Sequence, residues 1–366
     1  MLAAVLLGLA CRTDAPVADL SAKEVAGYIR SDVADPLGWA TDVRAALQAA
    51  RRPVTEEHVC QVLAIVEQES GYEADPAVPN LPSIVEAGID DELARLGPLA
   101  PFGKDALLNH TPDGATSSLL DQLRALRTER DLDRWYRDVI AYHEAKAPLV
   151  GKAARLFFPR LEERLNPVHT AGSMQVSVSF AQEVGRQDGL DAKAVREALY
   201  TRAGGLRYGV ARLFGFEAGY DRPVYRFADY NAGMYASRNA QFQAMLADLT
   251  DTPIATDGDL LRYDDRGRPS GEDGESTRLL VTWATGHGLA ERRVRADLER
   301  EKELRFEETE TWTSLRAAWV EKRKRTAAYA KVPDVHLDSP KFSKDLSTKW
   351  FAEHVSERFG KCLRRR

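Results

Sequence analysis

Residues 64–76 read AIVEQESGYEADP, and before the glycine at 71 stand two carboxylates two positions apart, Glu67 and Glu69, the second followed by Ser70. A carboxylic acid that keeps its proton near neutral pH can protonate a leaving oxygen, the first requirement of glycosidic cleavage. The helix beneath decides which acid is suited. Val59, Val62, Leu63 and Val66 recur at the i, i+3, i+4, i+7 spacing of one buried face. With each residue turning the helix by about 100°, Glu69 falls roughly 60–70° from the centre of that stripe, at its edge beside Val62 and Ile65. Glu67 falls about 90° away on the other side, toward solvent. The pattern predicts a half-buried Glu69 and a wet Glu67. Burial against aliphatic side chains disfavours the charged form of a carboxyl and raises its pKa. Thr55 is placed to cap this helix, Glu56 and Glu57 suit its first turn, and Gly71 suits its end.

Two further stretches combine polar side chains with glycine: AGSMQV at 171–176 and ADYNAG at 228–233. Gly172 would let the backbone approach a ligand closely. Met174 and Gln175 would line a cleft, and Tyr230 and Asn231 offer a ring face, a hydroxyl and a carboxamide. Each has a plainer reading. Ser70 suits a helix-end hydroxyl bonding locally, Met174 suits core filling, and Tyr230–Asn231 suits a capping turn. The seven histidines show no HExxH spacing, and no Walker loop or GxGxxG occurs, so neither a metal nor a nucleotide cofactor is expected.

In the order QES (68–70), AGSMQV and ADYNAG, the chain resembles the lysozyme-like lytic transglycosylases, in the soluble lytic transglycosylase and goose-type lysozyme superfamily, over roughly residues 55–245. As a whole it also resembles an uncharacterised bacterial lipoprotein family that contains this domain. The resemblance implies a mostly α, lysozyme-like fold. It implies that Glu69 is the catalytic acid/base, protonating the bond between N-acetylmuramic acid and N-acetylglucosamine in peptidoglycan. The same Glu then acts as base on the C6 hydroxyl to give a 1,6-anhydro end, with no second carboxylate needed. Ser70, Gly172, Ser173, Met174, Gln175, Tyr230 and Asn231 are the implied substrate-binding residues. Glu67 and Asp75 lie too near Glu69 in sequence to face it across a sugar, and the family pattern gives Asp229 no role. A hydrolytic lysozyme and a non-catalytic peptidoglycan-binding or scaffold lipoprotein are the alternatives.

The family pattern separates its Glu-Ser and Gly-x-Met-Gln segments by a short loop, whereas about 100 residues intervene here. The expected organisation is therefore a tether and N-terminal helices over 12–54, a lysozyme-like domain over 55–250 with a helical insertion at about 76–165, and a helical extension over 251–366 with a long charged helix near 290–330. The insertion would form a lid or an added lobe beside the cleft. The opening MLAAVLLGLAC reads as a secretion signal and resembles that of bacterial lipoproteins, with Cys11 as the lipidated residue. It departs from the usual pattern in having no Lys or Arg before the apolar core and Gly8 where Leu is usual. The implied location is periplasmic, held at the membrane by lipid, the outer membrane favoured over the inner. With Cys11 acylated, Cys60 and Cys362 remain, either as a disulfide or as two buried thiols. A net charge of −5 disfavours nucleic acid as a partner and leaves peptidoglycan glycan strands and the membrane as the expected ones.

Overall fold

The computed structural model describes residues 18–94, 104–105, 107–146, 168–264, 267–337 and 346–365. The signal and Cys11, and the helix expected over GKAARLFFPRLEERL, lie outside the described residues. Among those described the chain is mostly α, with fifteen α-helices, one 3-10 helix and two short antiparallel ladders.

The central element is α3 (Glu56–Glu69), preceded by α1 (Ala22–Ala26) and α2 (Pro36–Ala49). It begins as the sequence predicts: the Thr55 side chain accepts from the His58 N–H, and Glu56 and Glu57 occupy the positive first turn. It ends at Ser70 and at Gly71, whose φ of +60° and N–H bond to the Val66 carbonyl close the last turn. Every residue from Val59 to Val66 is buried, so the helix is enclosed on all sides and not along one stripe.

What encloses it comes from both directions in the sequence. Helix α4 (Leu81–Ala94), α5 (Leu119–Arg124) and α6 (Glu129–Lys146) belong to the insertion. The insertion is stitched back to the segment after α3 by a bridge between Ala77 and Thr128 and by the Val78 N–H donating to the Arg127 carbonyl at 2.8 Å. The hairpin β1 (Thr170–Ala171) and β2 (Val176–Ser177) pairs Thr170 with Ser177 and Ala171 with Val176. Then follow α7 (Val178–Gln187), α8 (Ala192–Leu199), α9 (Arg202–Phe214), α10 (Pro223–Ala232) and α11 (Ala236–Thr250). Helices α12 (Glu275–Gly286), α13 (Glu291–Leu298) and α14 (Glu310–Arg323), with the 3-10 turn Leu304–Glu308, pack with α11 into a second apolar cluster around Phe242, Leu280, Phe306 and Leu315. The charged helix expected near 290–330 is thus two helices separated by a 3-10 turn.

After the pair β3 (His336–Leu337) and β4 (Leu346–Ser347), the last helix, α15 (Thr348–Leu363), leaves that cluster and returns to the first core, where Phe351, Ala352, Val355 and Cys362 are buried. It lies along both α3 and α10. Cys362 is bonded to Cys60 in the middle of α3, with Cα atoms 5.5 Å apart, so the structure contains the bridge of the two sequence alternatives. The same contact corrects the expectation for Glu67. Its side chain is only 7% exposed, with Arg365 at 2.9 Å, Arg358 at 3.6 Å and Arg30 at 3.9 Å. A helical wheel describes one helix, and the face it leaves to water is the face that α15 and its terminal arginines cover.

A nearly buried carboxylate serving three guanidiniums leaves them poorly compensated when its charge is removed. Glu67→Gln is expected to destabilise the fold by on the order of 2–3 kcal/mol, whereas Glu69→Gln, two residues on, costs less than about 1 kcal/mol; urea unfolding of the two variants checks this. Since the Cys60–Cys362 bond closes a sequence separation of 302 residues, the Cys60→Ser/Cys362→Ser variant is expected to lose about 3–5 kcal/mol in the same measurement.

Candidate active site

Glu69 is the last residue of α3 and is half-buried, the environment its wheel position predicts. The buried Tyr230 of α10 lies within its field: burial first, and then the negative charge of Glu69, hold the phenol well above its ordinary pKa. A phenol so disfavoured as an anion is a hydrogen-bond donor, and its hydroxyl donates to the Met174 carbonyl at 2.7 Å. One tyrosine thereby bonds the ADYNAG helix to the hairpin turn while lying in the field of the helix end that carries Glu69.

The hairpin turn needs its glycine. Gly172 has φ +81°, and a Cβ there would stand 2.3 Å from the Leu199 carbonyl oxygen. The Gln175 N–H closes the turn on the Gly172 carbonyl at 2.9 Å, with Gln175 itself at φ +48°. The turn packs inward. Ser173 and Met174 are wholly buried, the methionine sulfur filling the space that a Cβ on Gly209 would take. Their side chains therefore do not line an open cleft, contrary to the sequence expectation. Inward packing of the turn leaves only their backbone for a ligand and makes Met174 core filling. The Ser173 hydroxyl has no hydrogen-bond partner among the described residues. Gln175 is half-exposed and stays at the surface of the turn.

Two other predicted residues are engaged by the protein itself. The Ser70 hydroxyl donates to the Val66 carbonyl at 3.2 Å, the local bond of a helix end. Asn231 is exposed, and its carboxamide oxygen accepts from the Thr348 hydroxyl of α15 at 2.8 Å. Asp229, one turn from Gly233 on α10, is wholly buried. It accepts from the Tyr220 hydroxyl at 2.5 Å and from the Ser237 N–H at 2.6 Å, fastening α10 to the start of α11. Burial pushes its carboxyl up to about 6 in spite of those bonds.

Thr348 and Glu129 are neighbours of the motifs that sequence reasoning missed. Glu129 begins α6 in the insertion, is buried, and accepts from the Gln175 side-chain nitrogen at 3.2 Å. Nothing local distinguishes it from any acid in a first helical turn. The insertion is further clamped to α8 by Arg134 and Arg137, both 2.7 Å from Glu197, and by the buried pair Arg196–Asp133 at 2.5 Å. The Arg134 bond leads the contacts that hold the Glu197 carboxyl down to about 2.

Among the described residues no group of three or more His, Cys, Asp or Glu is placed to hold a metal ion. A cavity of about 210 Å³ lies in the C-terminal unit between the 255–263 loop and residues 274–276. None of the motif residues lines it, and Asp257 and Asp259 at its wall are engaged by Gln243 and Lys302.

Residues 32–365 match a family described as a protein of unknown function (DUF1615), and the chain belongs to that family. It is similar to the uncharacterized protein YaiW of Escherichia coli (strain K12), with 35% identity over 375 residues that cover 99% of this chain and 97% of the relative. No solved structure matches it.

The buried Asp229 gives a pH signature. Its folded pKa, about 6, lies above the ordinary 3.8, so the folded state holds the proton more tightly and stability falls as pH rises through that window. Asp229→Asn keeps an acceptor for the Ser237 N–H, turns the Tyr220 contact into an amide N–H donating to the phenol oxygen, and carries no charge. Relative to the native protein it is expected to gain up to about 3 kcal/mol between pH 4 and pH 7, read from denaturant midpoints at the two pH values.

Proposed function

We propose that this protein is a peptidoglycan lytic transglycosylase that uses Glu69 as its single acid/base. The observation that carries the reading is the meeting of the three motifs at Tyr230, which feels the charge of Glu69 and bonds the Met174 carbonyl. In this mechanism Glu69, held at the apolar end of α3, gives its proton to the oxygen between N-acetylmuramic acid and N-acetylglucosamine. The same carboxylate then takes the proton of the C6 hydroxyl as that oxygen closes on the anomeric carbon, which leaves a 1,6-anhydro end. Tyr230 is already committed to Met174, so its part is to hold the wall beside Glu69. Gln175 and Asn231 are the exposed or half-exposed carboxamides available to the sugar. A lysozyme-like fold with an inserted lobe, over residues 55–250, is the architecture that goes with this activity.

The proposed location is the periplasm, with Cys11 acylated and the outer membrane favoured. The Cys60–Cys362 disulfide supports an oxidising compartment. Among the described residues no helix is long and apolar enough to cross a membrane.

A second reading, a glycan-binding scaffold without catalysis, is supported by the Ser70 and Asn231 bonds, which tie two polar groups of the motifs to the protein itself. Digestion of purified peptidoglycan by the protein beside Glu69→Gln, read by mass spectrometry, separates the readings. Anhydro-muropeptides are expected from the native protein, with a loss of at least about a hundredfold in the variant. Hydrated ends would indicate a lysozyme, and binding to sacculi without any product would indicate the scaffold.

A further inference from the structure

The cavity of about 210 Å³ beside the 255–263 loop stands apart from the three motifs, and its walls make opposite demands. One wall is the start of α12, where Gly274, Glu275 and Ser276 line the space. No side chain caps this helix, and its first N–H groups, those of Glu275, Ser276 and Thr277, have no acceptor among the described residues. Ser276 is 8% exposed and Thr277 1%. Buried backbone donors are nearly always paired, and those at a helix start favour an anion. The Ser276 side chain adds an independent sign. Its oxygen lies 2.9 Å from the Gln243 side-chain nitrogen, but that nitrogen also has the Asp257 Oδ1 at 2.7 Å and the Asp259 carbonyl at 3.0 Å. An amide nitrogen has two protons for these three acceptors. The proton of the Ser276 hydroxyl has no acceptor among the described residues.

The loop side is acidic. Asp257 accepts through Oδ1, from Gln243 and from the Asp259 N–H at 3.0 Å, and Asp259 pairs through Oδ1 with Lys302. The Oδ2 atom of each has no hydrogen bond to a described residue. Glu275 adds a third carboxylate, while Arg262, also at the wall, is paired with Glu272 at 2.7 Å. A lone anion at α12 would meet these carboxylates, and a lone cation would leave the helix start unsatisfied. A small ligand carrying both charges satisfies both. Gln243 holds the Asp257 carboxylate and the Ser276 hydroxyl on one nitrogen, so two charges borne on a single carbon can reach them together. The volume suits a free amino acid and falls below the roughly 300 Å³ at which pockets for larger ligands begin. The loop is already fixed in place. The buried Glu301 carboxylate accepts from the Leu260 and Leu261 N–H groups at 2.7 and 3.2 Å and from the Tyr263 hydroxyl at 2.6 Å, and the Thr277 hydroxyl donates to the Leu260 carbonyl at 2.7 Å.

We propose that this cavity binds a free α-amino acid, with its carboxylate on the N–H groups and hydroxyl at the start of α12 and its ammonium on Asp257 and Asp259. The site shares no residue with the glycan-cleaving reading and does not depend on it.

The test is a thermal-unfolding screen of the purified protein with glycine and both enantiomers of the other standard amino acids, followed by calorimetric titration of the one that stabilises it most. At least one is expected to raise the Tm by several degrees, as a ligand well above its Kd does. Its N-acetyl derivative keeps only the carboxylate and its methyl ester only the ammonium, and each is expected to bind at least about tenfold more weakly. Asp257→Asn keeps the Oδ1 acceptor, and Ser276→Ala leaves Gln243 its two other acceptors. Each variant is therefore expected to unfold within a few degrees of the parent without ligand, and to bind the amino acid about tenfold more weakly. No stabilising amino acid, a derivative that binds as well as the amino acid itself, or unchanged binding in both folded variants would overturn the inference.

Discussion

A covalent bond joins the middle of α3 to the last turn of α15, and around it Arg365 and Arg358 reach the Glu67 carboxylate while Arg358 also donates to the Gln68 side-chain oxygen at 3.0 Å. The remaining geometry of the site depends on this contact. Helix α15 lies on α3 with one part of its surface and on α10 with another, Phe359 meeting Phe227 of α10 edge-on. Its first residue, Thr348, bonds Asn231. The helix carrying Glu69 and the helix carrying Tyr230 are therefore held in register by a third helix from the far end of the chain. A disulfide contributes mainly by restricting the unfolded chain; the ion cluster and the apolar packing set where the helices stop.

Around this centre the polar groups divide by function. Asp229 and Tyr220, the Ser70 hydroxyl, and the Arg196–Asp133 pair are satisfied within the protein and make the walls rigid. Glu69, Gln175 and Asn231, among the motif side chains that retain some exposure, come from three different elements. The buried hydrogen bonds fix the shape of these walls and leave few polar side chains on their surface. Between α13 and the 3-10 turn, the Lys302 ammonium lies 3.6 Å from where a Cβ on Gly233 would be, at the end of the ADYNAG segment.

What was legible in the sequence was local. The boundaries of α3, its Thr55 cap, the Gly71 stop and the half-burial of Glu69 all follow from spacing within one helix, and the structure agrees with each. The mostly α class follows from the same periodicities. What was not legible was anything supplied by another element. Glu67 is outward by its own wheel and buried by α15. Met174 reads equally well as cleft or core, and the small Gly209 across from it decides for core. Division of the chain at residue 250 was not legible either: Phe242, Met245 and Leu246 of α11 pack in the second cluster, while α15 packs in the first.

Because the last helix completes the first core, the order in which the chain is made matters to it. Helix α3 is buried on every side from Val59 to Val66, and the partner for one of those sides, α15, carries its bridging cysteine 302 residues further along the chain. Until then its Val and Ile side chains and Cys60 have no native cover on that side, and contacts of such long sequence separation form slowly. Synthesis of α15 is thus the event that closes the core, and a product cut short before it lacks the cover of α3, the partner of Cys60 and two of the three cations of Glu67 together. Synthesis through α15 is in this way made a condition of assembling the site.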